Sequence, residues 1–556
     1  MFMLIFIGVS LSSCFTLEND NITVEKKEIN FTDYSEEYDI KSDKLTAYFI
    51  NNEDVVYFDV ETFIVELSGL FDTNYIVSSM SKLFKQLTLS SDILGVRLRI
   101  IFNFENDYIL ADDPYAFSIT TVNETTDYSR LLKLTDSKTN ISIAQIKFDC
   151  KSLGYDFYYY NGLVLVPYSL MNFLFCSTNY YNIYYNGYEF YGDYLIISEK
   201  DKLNEVYDSS LVGKNQTLSE RDDNYKLLKF IMKYYYGLGS KLEKVEEMKE
   251  EFLSTDPKIY TKAYYEFINL YLNENHSGVI RAPYGIDYAN YDRSKYRSEA
   301  SEKSSNAAKE IKASYNTYFP DGNNDVVRFY NDLAVITCDS FETGANDDIF
   351  NADGSLKDDA YLYDTFYLFK YGFDKIEENG NIKDVIINLS LNGGGNLGAL
   401  IRSISLISKN NDIIIGTCDY LSGRIVSYKY SVDVNENGNY DISAYANKYN
   451  FYILDSVYTY SSANIFSGIS QKNGWAKVIG EKSGGGACSI IPLVFPDGMV
   501  AQISGTSQNL IFDSESYENL SGYDYCEAGI DLYSAKYALE YKDYSNDEAL
   551  YNLIHQ

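Results

Sequence analysis

"VIINLSLNGGGNLGALIRSI", residues 385–404, carries the reading of the fold. It opens as a β-branched apolar run, breaks at Gly393-Gly394-Gly395, and resumes from Leu397 with apolar residues at helical spacing. Strand, glycine turn and helix start, in that order, leave backbone N–H groups aimed at negative charge. Gly393 to Gly398 satisfies G-x-G-x-x-G, and Asp419 stands where a dinucleotide site wants an acid, about twenty residues on. Two charges suit the turn: a nucleotide pyrophosphate, or the oxyanion of acyl transfer. Dinucleotide folds usually open with this unit, whereas here it lies deep in the chain.

Around this stretch, from about residue 325, strand and helix patterns alternate: "VVRFYNDLAVITCDSF", a helix near 361–378, "DVIINLSL", a helix from Leu397, "DIIIGT", "FYILDS", a helix over 462–473, and "AKVIGE". That alternation predicts an α/β layer with parallel strands over 325–556. Within it, "DVNENG" from Asp433 imitates the start of a calcium loop, but position twelve is Ala444, so a hairpin turn is expected. Upstream, 199–280 shows apolar residues every three or four positions and many Lys/Glu pairs, predicting helices at 224–236, 240–253 and 257–272 in a small bundle. Short alternating runs such as "LRIIFNF" and "GLVLVPYSL" make 46–198 an α+β domain. A polar stretch, 281–324, reads as a linker.

Met1 to Leu11 is almost wholly apolar and too short to span a bilayer, as in a signal-peptide core, although the usual basic residues before it are missing. It leads into Leu11-Ser12-Ser13-Cys14, which resembles a bacterial lipobox. That resemblance implies a signal peptide over 1–13, a lipidated Cys14, and a cell-envelope location with the membrane met only through the lipid. A plain secretory signal is the other reading. The acidic stretch 14–45 suits a polar tether. The net charge of −33 disfavours nucleic acid and anionic lipid as partners. The other six cysteines show no paired spacing, and two histidines cannot build a His-rich metal site, so neither zinc nor any cofactor is expected. The 57 tyrosines have no functional account.

A second stretch, "VYTYSSANIFSGISQKNGWAKVIGEKSGGG" at 457–486, places Ser461 and Ser462 in a polar turn ahead of a helix. A serine there is either an N-cap or a nucleophile with N–H donors at hand. Together the two stretches resemble the carboxy-terminal processing peptidase and tricorn protease superfamily. "VIINLSLNGGGNLG" is similar to its strand-plus-glycine signature, I-I-D-L-R-x-N-x-G-G, and "TYSSANIF…GWAKVIGEKSGGG" to its nucleophile segment. The resemblance covers roughly 325–531. It implies a ClpP/crotonase-like α/β catalytic domain of mixed or parallel sheet and helices, here behind a helical bundle and an N-terminal α+β domain.

By position, the resemblance places the nucleophile on Ser461 and the oxyanion donors on the N–H groups of Ser462 and Gly394. The family's Asp and Arg before the glycines are Asn388 and Ser390 here, and the lysine base of the processing peptidases is Gly486, leaving Lys482 nearby. The tricorn branch uses a histidine, and "YLNENHSGVI" supplies His276; the other histidine, His555, is next to the last residue and is expected to be disordered. Glu527, in "CEAGID", stands where that branch has an orienting glutamate. The expectation is a serine peptidase acting on peptides or proteins, with a catalytically inactive, peptide-binding lipoprotein as the alternative. No PDZ-like segment is recognisable.

Overall fold

The computed structural model describes residues 22–93, 96–142, 144–322 and 325–556. Cys14 and the apolar leader lie outside the described residues. Among these residues no helix is long and apolar enough to cross a membrane.

The quoted stretch forms strand Asp384–Asn388 and helix Leu397–Ser405, joined by the glycine turn. The strand is central in a five-stranded sheet ordered Val327–Tyr330, Leu333–Thr337, Asp384–Asn388, Asn450–Asp455, Ala476–Gly480. The first two strands are an antiparallel hairpin, and the remaining neighbours are parallel. Parallel strands are covered on both faces, which is why Val385-Ile386-Ile387 is continuously apolar and fully buried. Val385 and Ile387 face helices Thr365–Asn379, Leu397–Ser405 and Ser462–Lys472 through Phe369, Leu400 and Phe466. Ile386 faces the other way, towards Ile311 of helix Glu299–Tyr318 and the C-terminal Leu550 and Leu553.

Several expectations need correcting. "DIIIGT" becomes strand Ile413–Asp419 but lies outside the parallel layer: a tight turn, where Gly423 N–H donates to Asp419 O, sends it antiparallel into Ile425–Val432. Its other neighbour is the long strand Val500–Ile511, which also carries Gly278–Arg281 and Cys488–Val494. The supposed tether holds strand Val24–Asp33, paired with Lys44–Ile50 and Phe190–Tyr194. Its outward face is Glu and Lys, which hides the inward Ile29 and Phe31. The supposed linker contains the 20-residue helix Glu299–Tyr318, capped by Ser298.

Nor are 46–198 and 199–280 separate units. Phe102, Phe175, Phe230, Phe252 and Met499 belong to one apolar core, and strand Leu132–Thr139 pairs with Ile425–Val432 of the C-terminal part. The helices do form close to their expected places, as Leu218–Tyr234, Leu242–Glu247, Lys249–Phe252 and Pro257–Tyr264, the last continuing as a π-helix to Tyr271. A fully buried ion pair, Arg221 to Asp497 at 2.6 Å, ties the first of them to the turn before strand Val500–Ile511. At the calcium-like turn, Asp433 spends both carboxylate oxygens on the N–H groups of Asn437 and Gly438, closing a local turn; it is not the expected hairpin, because the strand that follows, Asn450–Asp455, pairs in the parallel sheet rather than with Ile425–Val432.

Candidate active site

Strand Asn450–Asp455 ends at the edge of the sheet where the glycine turn also emerges, and the chain turns through 456–460 to Ser461. Ser461 has φ 56° and ψ −126°, a conformation costly for a residue with a side chain, and helix Ser462–Lys472 starts directly after it. Three contacts hold the turn: Tyr460 N–H on Asn392 O (3.1 Å), Ser461 N–H on Gly485 O (2.9 Å), and Ser462 Oγ–H on Gly395 O (2.7 Å). The glycine turn and the serine turn are thus one unit. A Cβ on Gly394 would lie 2.6 Å from Ser461 Cβ and 3.1 Å from its Oγ, so only glycine allows this approach.

Ser461, Ser462, Gly393, Gly395 and His276 line one cleft of about 1030 Å³. His276 comes from the segment between the helices and strand Gly278–Arg281, which pairs with Val500–Ile511 and carries it to the sheet edge. Its ring meets Tyr460 edge-on, centroids 4.8 Å apart. The side chain is buried, Nδ1 has no hydrogen-bond partner, and burial lowers its pKa to about 4, so the imidazole is neutral at pH 7. Among the described residues no hydrogen bond joins His276 to Ser461; catalytic contacts of this kind often close only with substrate in place.

The other candidates fall differently. Gly394 N–H donates to Asn392 Oδ1 at 2.8 Å, so it is engaged. The N–H groups of Gly393, Gly395 and Ser462 have no acceptor among the described residues, the last because the first helical residue has no intrahelical partner. Glu527 lies outside the cleft lining: its carboxylate accepts Ala487 N–H (2.6 Å), its carbonyl accepts Gly486 N–H, and burial raises its pKa. It shapes the glycine-rich turn rather than the imidazole. Lys482 pairs with Asp531 at 3.0 Å, also outside the lining. His555 is placed at the opposite end of the sheet, its Nδ1 2.8 Å from Tyr551 O and its Nε2 3.4 Å from Asp384. At the departures, Asn388 Oδ1 accepts Ser390 N–H, and Ser390 Oγ is buried without a partner.

Two residues escape sequence reasoning. Asn392, whose Nδ2–H donates to Cys338 O, decides which glycine N–H is spent. Glu274 accepts His276 N–H at 2.5 Å and Ser504 Oγ–H at 3.0 Å, while Ser277 Oγ accepts Ser504 N–H, so it fixes the backbone that carries the imidazole. Its position two residues before the lone interior histidine was the available signal.

A serine held in a strained strand-to-helix turn, N–H groups without acceptors beside it, and a neutral imidazole in the same cleft are parts suited to acyl transfer on a substrate carbonyl. The model of peptidase family S41 matches residues 332–512, the segment containing both turns. The match covers about a third of this chain's 556 residues. No curated protein matches it in sequence. Among solved structures, a lipoprotein from Streptococcus agalactiae is 14% identical over 65% of this chain and 98% of its own, with a TM-score of 0.34. The photosystem II D1 C-terminal processing protease is 13% identical over 38% of this chain (TM-score 0.26), and the tricorn protease 12% over 86% (TM-score 0.28). The matched region spans 42% of the D1 protease and 46% of the tricorn protease.

Proposed function

We propose that this protein is a serine peptidase that cleaves peptide bonds in the cell envelope, anchored through a lipid on Cys14. Ser461 Oγ attacks the peptide carbonyl, His276 takes its proton and returns it to the leaving amine, and the oxyanion is held by N–H groups of Ser462 and of the glycine turn. Because Gly394 N–H is engaged, the turn's donor is Gly393 or Gly395 rather than Gly394. The single observation that carries this reading is the junction of Ser461 with the glycine turn in a cleft that also contains His276. Glu274 and Glu527 act as positioning residues, one on each loop.

A fluorophosphonate probe followed by peptide mapping tests it: modification of Ser461, lost in His276→Ala, supports the reading. A chain that binds peptides but takes no label and hydrolyses none is the non-catalytic alternative. The anchor is tested separately, by partition of the mature protein into detergent and its release in Cys14→Ser; native protein found wholly in the aqueous phase rules it out.

A further inference from the structure

Behind the glycine turn, two buried arginines share one carboxylate. Arg130 precedes strand Leu132–Thr139, Arg402 lies on helix Leu397–Ser405, and Asp364 caps helix Thr365–Asn379. Their side chains are 9%, 0% and 1% exposed. Asp364 Oδ2 lies 3.2 Å from Arg130 Nη2 and 3.7 Å from Arg402 Nη2, and it also accepts Gly344 N–H at 3.3 Å. Its Oδ1 is occupied by the N–H groups of Phe366 and Tyr367. Three buried guanidinium nitrogens have no hydrogen-bond partner among the described residues: Nε and Nη1 of Arg130, and Nε of Arg402.

The other shielded arginines are built differently. Arg221, Arg328 and Arg424 each have a carboxylate of their own, on Asp497, Asp547 and Asp113. Burial pushes the Arg402 guanidinium below its usual range even with Asp364 beside it, whereas at Arg221 burial is outweighed by Tyr264 and Asp497. Asp127 acts on Arg402 only through space, its Oδ1 holding the N–H and hydroxyl of Ser129. The cluster therefore carries one positive charge in excess, and an uncompensated buried charge is strongly destabilising. Water could accept the free N–H bonds but could not offset the charge. In a chain with 80 acidic residues against 47 basic ones, a second carboxylate would be the commonplace remedy, and among the described residues none pairs with either arginine.

We infer that Arg130 and Arg402 hold a small monovalent anion, of the class of chloride, at the joint between the N-terminal part and the parallel layer. One negative charge beside Asp364 balances the two guanidiniums, and because both reach the same Asp364 oxygen, a single ion can serve both. The residual exposure of the Arg130 side chain gives an ion of that size its way in. Neither arginine lines the cleft, so this anion is not substrate, and the inference does not depend on the peptidase reading. The site backs the cleft through two bonds: Arg402 Nη2–H donates to Thr343 Oγ1 (2.6 Å), whose own hydroxyl donates to Asn396 Oδ1 (3.0 Å), the cap of the helix after the glycine turn.

The full chain is titrated with sodium chloride in place of sodium gluconate, whose anion is too large for an enclosed site, at constant ionic strength. The chloride NMR line should broaden in the presence of the protein and narrow again as bromide competes. The melting temperature should rise by about 1 °C for each tenfold of chloride above its dissociation constant. Arg402→Met and Arg130→Met each leave a one-to-one pair with Asp364, and both should lose the broadening and the shift. If one variant does not fold, the other variant and the titration of the unmodified protein still decide. A chloride line and melting temperature that ignore the exchange of gluconate for chloride overturn the inference. So does either effect persisting in a folded variant, which would mark an adventitious surface ion only.

Discussion

Acidification separates a buried histidine base from any other. His276 is 5% exposed, and burial carries its pKa from 6.5 down to about 4. At pH 5 about nine-tenths of a group with a pKa near 4 is still neutral, against about 3% of one left near 6.5. The profile of kcat/KM, measured with an internally quenched peptide at constant ionic strength, should therefore stay flat to about pH 5 and fall towards pH 4. At neutral pH, His276→Ala should cost on the order of a thousandfold. The imidazole can also be read directly. His555→Gln leaves one histidine in the chain, and its C2–H resonance should hold still on acidification until pH approaches 4. The same shift enters stability. The unfolded chain, at 6.5, binds the proton before the folded one, so stability is lost as pH falls from 6.5 to about 4, by about 3 kcal/mol in all. Glu274 and Glu527 act in the opposite sense: burial raises their pKa values, so their contribution is present at low pH and lost as pH rises through the folded values. A kinetic limb near 6.5, or one that survives His276→Ala, would refute the reasoning.

Ser461→Ala should abolish hydrolysis and leave the circular dichroism melt close to that of the parent. Ser462→Ala loses the bond to Gly395 O and should cost about 1 kcal/mol in denaturant melts and less than about tenfold in kcat, since only its N–H faces the chemistry. Lys482→Ala should change kcat/KM by less than about tenfold, because its ammonium is paired with Asp531 outside the cleft; a larger loss would point to a lysine base. Gly486→Lys should lower the melting temperature without raising activity, since a Cβ there would lie 2.3 Å from the Tyr460 ring on a backbone at φ +81°. Asp497→Ala strands the fully buried Arg221 charge and should cost about 3–5 kcal/mol, part of it recovered in Asp497→Ala/Arg221→Met.

The parallel layer was legible because its strands are covered on both faces: Val385-Ile386-Ile387 cannot alternate, and the helices between such strands keep their own period. Ile413–Asp419 has the same apolar look but a different place, because pairing is settled by the turn that follows it and by Val500–Ile511, eighty residues on. Val24–Asp33 was hidden by its charged outer face. At the site, spacing could place Ser461, the glycines and His276 in order. It could not tell which of three successive glycine N–H groups is engaged, because the side chain of Asn392 settles that. Glu274 was missed because one partner, Ser504, is far away in sequence, and the other is the His276 N–H two residues on, a short-range bond that acidic residues commonly make.

The glycine at position 486 is the departure that most invites the reading of a site emptied of chemistry. In the structure this position has no room for a side chain. The space a side chain at 486 would enter is filled by the ring of Tyr460, and the same ring meets His276 edge-on. Tyr460 is also the residue whose N–H bonds Asn392 O and whose carbonyl receives Ala463 N–H at the head of the helix. One aromatic side chain therefore excludes a lysine from its side of the cleft, packs the imidazole on the other, and sits directly before Ser461.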